Sequence, residues 1–177
     1  QRGISVRILI HLFGRKNSFM KVLVTLCFLV LIMLGANAQS VSYELSMENP
    51  QSHYFHVTMN LEGFKEDSIL IKMPVWAPGS YLIREFPKNV NLVYAFNEQG
   101  KPLDVKKSTK NSWFVKRDGA KKIRVSYDVY AFELSVRTSF LDLSHGFVSG
   151  TSVFMYVNAY KHLSGQLTVL PFKAFKR

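Results

Sequence analysis

From Val41 onward the apolar residues recur at every second position, and this period decides what the chain can fold into. Val41, Tyr43, Leu45 and Met47 alternate with Ser42, Glu44, Ser46 and Glu48. Phe55, Val57, Met59 and Leu61 alternate with His56, Thr58 and Asn60, and Ile123, Val125, Tyr127 and Val129 with Arg124, Ser126 and Asp128. Successive side chains of a strand leave opposite faces, so a period of two predicts strands with one buried and one wet face. No window keeps the i, i+3, i+4, i+7 spacing of an amphipathic helix for more than two turns. Turn signals fall between the runs: Asn49-Pro50, Glu62-Gly63, Asn97-Glu98-Gln99-Gly100, Lys110-Asn111-Ser112 and Asp118-Gly119, the last a hairpin cue. The expected fold class is all-β, an antiparallel β-sandwich or saddle-shaped sheet.

The residues before Val41 read differently. Met20 and Lys21 precede an apolar run, Val22 to Leu34, and Gly35-Ala36-Asn37-Ala38 supplies the small residues of a cleavage site before Gln39. A basic start, a short apolar stretch and an A-x-A end describe a helical signal peptide at 20–38, with residues 1–19 an upstream or mis-called start. The run is short for a bilayer, which takes about 20 apolar residues. Export to the periplasm or the outside follows, and a membrane is met only through this leader. Cys27 lies inside the leader, so the expected mature chain, 39–177, has neither disulfides nor thiolate ligands and depends on an ordinary core.

The formal charge of +11 shrinks once the five basic residues of the leader are set aside, leaving 18 basic against 12 acidic residues, a net +6. The positive residues are spread out, densest from Lys101 to Arg124, as on a solvated sheet face. Nucleic acid is not an expected partner.

One segment breaks the alternation: Met73-Pro74-Val75-Trp76-Ala77-Pro78-Gly79-Ser80-Tyr81-Leu82-Ile83-Arg84-Glu85-Phe86. Two prolines remove two backbone donors and exclude a central strand. Pro78-Gly79 favours a type II turn, with Gly79 where positive φ is needed. Trp76 and Tyr81 flank that turn, either packing the corner down as core or offering a surface; a loop already ordered loses less entropy when it binds. Arg84 and Glu85 are neighbours on an extended chain and are not expected to pair.

The run from Trp76 to Phe86 resembles the signature of the N-terminal domain of the glycyl aminopeptidase family, zinc peptidases that also carry a PDZ domain. Tyr43 with His53-Tyr54-Phe55-His56-Val57, then Trp113, then Val125 to Ala131, then Ser135-Val136-Arg137-Thr138 and Leu141-Asp142 follow in the family's order. The resemblance covers about residues 41–172 and implies a β-domain followed by a helical peptidase domain and the PDZ domain. It implies zinc held by the histidines of H-E-x-x-H and a downstream glutamate, in a catalytic domain absent from these residues. His53, His56, His145 and His162 belong to no such motif, and no G-x-S-x-G elbow, P-loop or dinucleotide fingerprint is present. No catalytic residue, metal ligand or cofactor is expected in this chain.

The resemblance thus implies a non-catalytic domain that docks on the downstream peptidase domain of the same polypeptide and shapes the access of a peptide substrate. Trp76, Pro78, Gly79, Ser80, Tyr81, Arg84 and Glu85 are the expected substrate-binding or interface residues, with Tyr81 and Arg84 nearest the site. Pro171 to Arg177 carry Phe172 and Phe175 with no sequence beyond to cover them, and the expectation is a truncated chain. Two alternatives stay open: a free-standing exported module binding glycan or peptide on Trp76 and Tyr81, and a nonfunctional remnant of a truncated gene.

Overall fold

The computed structural model describes residues 21–25 and 38–175. Strands dominate the second span: β1 (Ser40–Ser46), β2 (Tyr54–Glu62), β3 (Ser68–Lys72), β4 (Val90–Asn97), β5 (Pro102–Leu103), β6 (Val105–Thr109), β7 (Ser112–Lys116), β8 (Lys122–Tyr130), β9 (Phe140–Leu141), β10 (Gly146–Phe147), β11 (Tyr156–Val157) and β12 (Gly165–Leu170). They form a six-stranded sheet in the order β12-β1-β2-β8-β4-β5, a four-stranded sheet β11-β3-β7-β6, and the short pair β10-β9. The described residues bear out an all-β fold.

The period of two sets the register. β2 and β8 pair antiparallel so that Phe55 faces Val129, Val57 faces Tyr127, Met59 faces Val125 and Leu61 faces Ile123. All eight are buried, while His56, Asn60 and Arg124 between them point to solvent. The smaller sheet contributes Ile69 and Ile71 from β3 and Trp113 and Val115 from β7 to the same core. A one-residue slip of either strand would turn its whole apolar set to water, so the register is strongly held.

Two tyrosines stitch the core to the chain around β11. Tyr127 is buried; its hydroxyl donates to Val153 O at 3.1 Å and accepts from Met155 N–H at 3.0 Å. The Tyr43 hydroxyl donates to Met155 O at 2.7 Å. Burial pushes the Tyr43 phenol up to about 12 and also raises that of Tyr127, because removal from water penalises the phenolate.

Three local readings change. Asp118 and Gly119 both take positive φ, +50° and +78°, as the D-G cue requires. Yet the turn carries the chain from β7 in one sheet to β8 in the other and so closes no hairpin; a turn fixes reversal, not which strands pair. The two-residue hairpin is instead at Lys110-Asn111, between Thr109 and Ser112. β12 is where alternation continues, but it lies parallel to β1 at the sheet's edge, with Leu167 and Val169 each 46% exposed. The antiparallel expectation fails there because alternation carries no strand direction. Finally, the run from His53 to Val57 is not strand throughout: His53 precedes β2 in a left-handed conformation, φ +63°, with Nδ1 2.7 Å from Leu141 O.

Residues 21–25 are helical. The remainder of the expected signal peptide, with Cys27 and the Gly35–Asn37 part of its cleavage site, lies outside the described residues. No helix among the described residues is long and apolar enough to cross a membrane.

Candidate functional site

The Pro-Gly segment forms a closed, irregular loop between β3 and β4. Ser80 N–H donates to Ala77 O at 3.0 Å and Gly79 has φ +75°, the geometry of a type II turn with Pro78 at its first corner. A Cβ on Gly79 would meet nothing within 4 Å, so only the dihedral demands glycine there. Arg84 N–H donates to Val75 O at 2.6 Å and closes the base. Ala77, Ser80 and Phe86 are buried and pin the loop to the domain. Asn111 bonds Met73 twice, Nδ2 to Met73 O and Met73 N–H to Asn111 O, both at 2.9 Å, so the β6–β7 hairpin braces the loop's first residue.

Its side chains divide sharply. Trp76 is 53% exposed and Tyr81 lies wholly in solvent, while Leu82 and Ile83 are 64% and 81% exposed; Pro78 and Gly79 are exposed at the tip. Arg84 is half-buried, and its Nε and Nη2 both donate to the buried Ser80 hydroxyl, at 3.3 and 3.2 Å. Glu85 turns to Lys110, Oε1 to Nζ 3.4 Å, and not to Arg84. Ile83 also shares a small pocket with Glu133 and Thr138, which brings the loop beside a second one carrying the exposed Leu134 and Val136. Five large apolar side chains, Tyr81, Leu82, Ile83, Leu134 and Val136, therefore stand in water on two neighbouring loops.

Sequence reasoning missed the other wall of the site. A cleft of about 880 Å³ runs between the loop and the β6–β7 hairpin, with Val75, Ile83 and Pro87 on one side and Lys107 and Lys110 on the other. The dense basic stretch from Lys101 to Arg124 was the available signal, but only the strand pairing shows which of its lysines turn towards Arg84. Lys107 is held with Nζ 5.1 Å from the centre of the buried Trp113 ring.

Two polar clusters lie elsewhere. His56 Nδ1 is 2.7 Å from Asp128 Oδ1, and the Ser126 hydroxyl is 3.3 Å from His56 Nε2, a carboxylate–imidazole–hydroxyl order across β2 and β8. Both strands are paired on both sides, so their N–H groups are committed to the ladders and offer no oxyanion donors. The cluster orients a histidine without supplying acyl-transfer chemistry. In the other, Asp142 Oδ1 accepts from the Ser144 hydroxyl at 2.6 Å and from the N–H groups of Ser144 and His145. The Ser144 bond leads in holding the Asp142 carboxyl below its ordinary value, and the whole is a local turn. Among the described residues no three His, Cys, Asp or Glu side chains gather as a metal would require, so these residues do not fit a zinc site.

Known proteins place this domain. A solved structure, described as an aminopeptidase N family protein from Idiomarina loihiensis, superposes with a TM-score of 0.71 at 32% identity. That match covers 75% of this chain but only 22% of the other, so the chain spans about a fifth of that relative. No curated protein matches. Residues 42–176 match the family described as the Peptidase M61 N-terminal domain, a span that takes in both sheets, the Pro-Gly loop and the basic hairpin. The chain belongs to the Peptidase M61 N-terminal domain family.

Proposed function

We propose that this chain is the non-catalytic N-terminal β-domain of an exported zinc metallo-aminopeptidase of the glycyl aminopeptidase type, one that also carries a PDZ domain. Its work is to dock on the peptidase domain of the same polypeptide and narrow the path by which a peptide reaches the zinc, which that domain would hold. The observation that carries the reading is the run Tyr81-Leu82-Ile83, three consecutive apolar side chains held in water by a loop that is braced at its turn, base and hairpin contact. Exposed apolar surface of this kind on a rigid support marks an interface. Leu134 and Val136 extend it.

The relevant test is kinetic. Ile83→Asp in the enzyme that includes the peptidase domain should lower kcat/KM by about tenfold, the effect of about 1.4 kcal/mol in the transition state. In the isolated β-domain the same change should shift stability by less than about 0.5 kcal/mol, as surface substitutions do. Unchanged kinetics, or collapse of the isolated domain, would count against docking through this loop.

A second reading keeps one observation in its favour. Trp76 and Tyr81 are both exposed on a stiff loop, as a free-standing glycan- or peptide-binding module would need. A change in Trp76 fluorescence on adding oligosaccharide, abolished by Tyr81→Ala, would support that module over the docking domain.

A further inference from the structure

Beyond docking, we propose that the cleft between the Pro-Gly loop and the β6–β7 hairpin is a carboxylate-binding site for an acidic peptide segment, with Arg84 as its anchor. Its test uses this chain alone, with Ile83 uncovered, so its failure and the failure of the docking reading are told apart.

Charge is the first argument. Arg84, Lys88, Lys107 and Lys110 line the cleft against Glu85, with Glu133 in the adjoining pocket that Arg84 and Lys88 also line. Among the described residues Arg84 and Lys88 make no ion pair, although the domain has acidic residues to spare elsewhere. The one internal pair, Lys110–Glu85, joins side chains 91% and 69% exposed at 3.4 Å, an arrangement that contributes little and yields readily to a competing carboxylate.

The geometry of Arg84 is the second. Its Nε and Nη2 edge is spent on the Ser80 hydroxyl, a buried group fixed by the type II turn. That bond fixes the guanidinium plane and leaves the other edge, Nη1 with the second Nη2 hydrogen, without a partner among the described residues. Two parallel N–H groups on one planar edge match the two oxygens of a carboxylate. Lys107, steadied over Trp113, and Lys110 on the opposite wall supply further positive charge at lower directional demand.

The apolar lining is the third. Val75, Ile83 and Pro87 give the cleft a hydrocarbon side suited to the methylenes of glutamate and to an extended backbone. A phosphate chain or a nucleic acid backbone would leave that surface uncovered, whereas an acidic peptide uses both the cations and the wall. This is why an acidic peptide is the occupant proposed.

Calorimetric titration of the 177-residue chain decides the matter with three probes: acetylated and amidated triglutamate, the matching triglutamine, and inorganic tripolyphosphate. Triglutamate is expected to bind, and triglutamine to bind at least about tenfold more weakly, since it keeps the shape and loses the charge. Arg84→Gln should weaken triglutamate by about tenfold, and Arg84→Lys should not restore it, because an ammonium lacks the planar edge. Glu85→Gln, an exposed change that leaves the turn untouched, should tighten triglutamate severalfold by removing the competing carboxylate, and so reads the site even if Arg84 variants fold poorly. Equal binding of triglutamine, an unchanged affinity in both Arg84→Gln and Glu85→Gln, or tripolyphosphate binding tighter than triglutamate would overturn the proposal.

Discussion

Raising the pH from 10 towards 12 is expected to destabilise this domain by about 2 kcal/mol per pH unit, because the buried Tyr127 phenol and the half-buried Tyr43 phenol titrate in the unfolded chain before they titrate in the folded one. An unfolded tyrosine ionises near 10. In the folded domain burial holds Tyr43 up to about 12 and raises Tyr127 as well. A raised phenol means that the folded state keeps its proton more tightly. Its contribution is complete below 10 and is lost as pH rises through the folded value. Each such group adds at most about 1.4 kcal/mol per pH unit to the slope, and for Tyr43 alone the loss is about 2 kcal/mol by pH 12. Urea unfolding at a series of alkaline pH values measures the slope. A stability flat to pH 11.5 would contradict the shielding of both hydroxyls from water.

Tyr127→Phe carries the second large effect. The hydroxyl is hydrogen-bonded on both sides, donating to Val153 O and accepting from Met155 N–H, and both of those residues are buried. Removing it leaves a carbonyl and an N–H without partners away from water, at a total cost of about 2–4 kcal/mol. The ring itself still fills its place against Val57 and its neighbours, so the loss is polar and not a cavity effect. The alkaline slope should also fall by about half, to about 1 kcal/mol per pH unit, since one of the two phenols is gone. A loss below about 0.5 kcal/mol would mean that water reaches Val153 and Met155.

These two tyrosines show where sequence reading succeeds and where it stops. The alternation placed Tyr127 on the core face of β8 directly, because the side-chain period of a strand is a local property. It could not place the hydroxyl against Val153 and Met155, since that contact joins β8 to chain beyond Gly150 that no periodicity links to it. The same limit explains Asp118-Gly119, whose dihedrals were foreseeable and whose strand partners were not. It also explains β12, whose parallel pairing to β1 spans nearly the whole domain.

The candidate site divides likewise. The type II turn at Pro78-Gly79 and the divergence of Arg84 from Glu85 were legible in the residues. The grip of Ser80 on Arg84 was not, because it depends on a turn folding the chain back so that residues four apart meet. Nor was the approach of Lys107 and Lys110, which β6–β7 pairing and the two Asn111–Met73 bonds bring to the loop. A basic stretch reads as a solvated face until the opposite wall is known.

The function proposed here rests on Tyr81, Leu82 and Ile83 being covered by another domain in the working protein. Hydroxyl-radical labelling compares the 177-residue chain with the longer polypeptide that includes the peptidase domain, using Leu143 and Phe147 as exposed references outside the loop. The account predicts that labelling of Tyr81 and Ile83 drops severalfold in the longer polypeptide while the references keep their rates. Equal labelling of Tyr81 in both would contradict it.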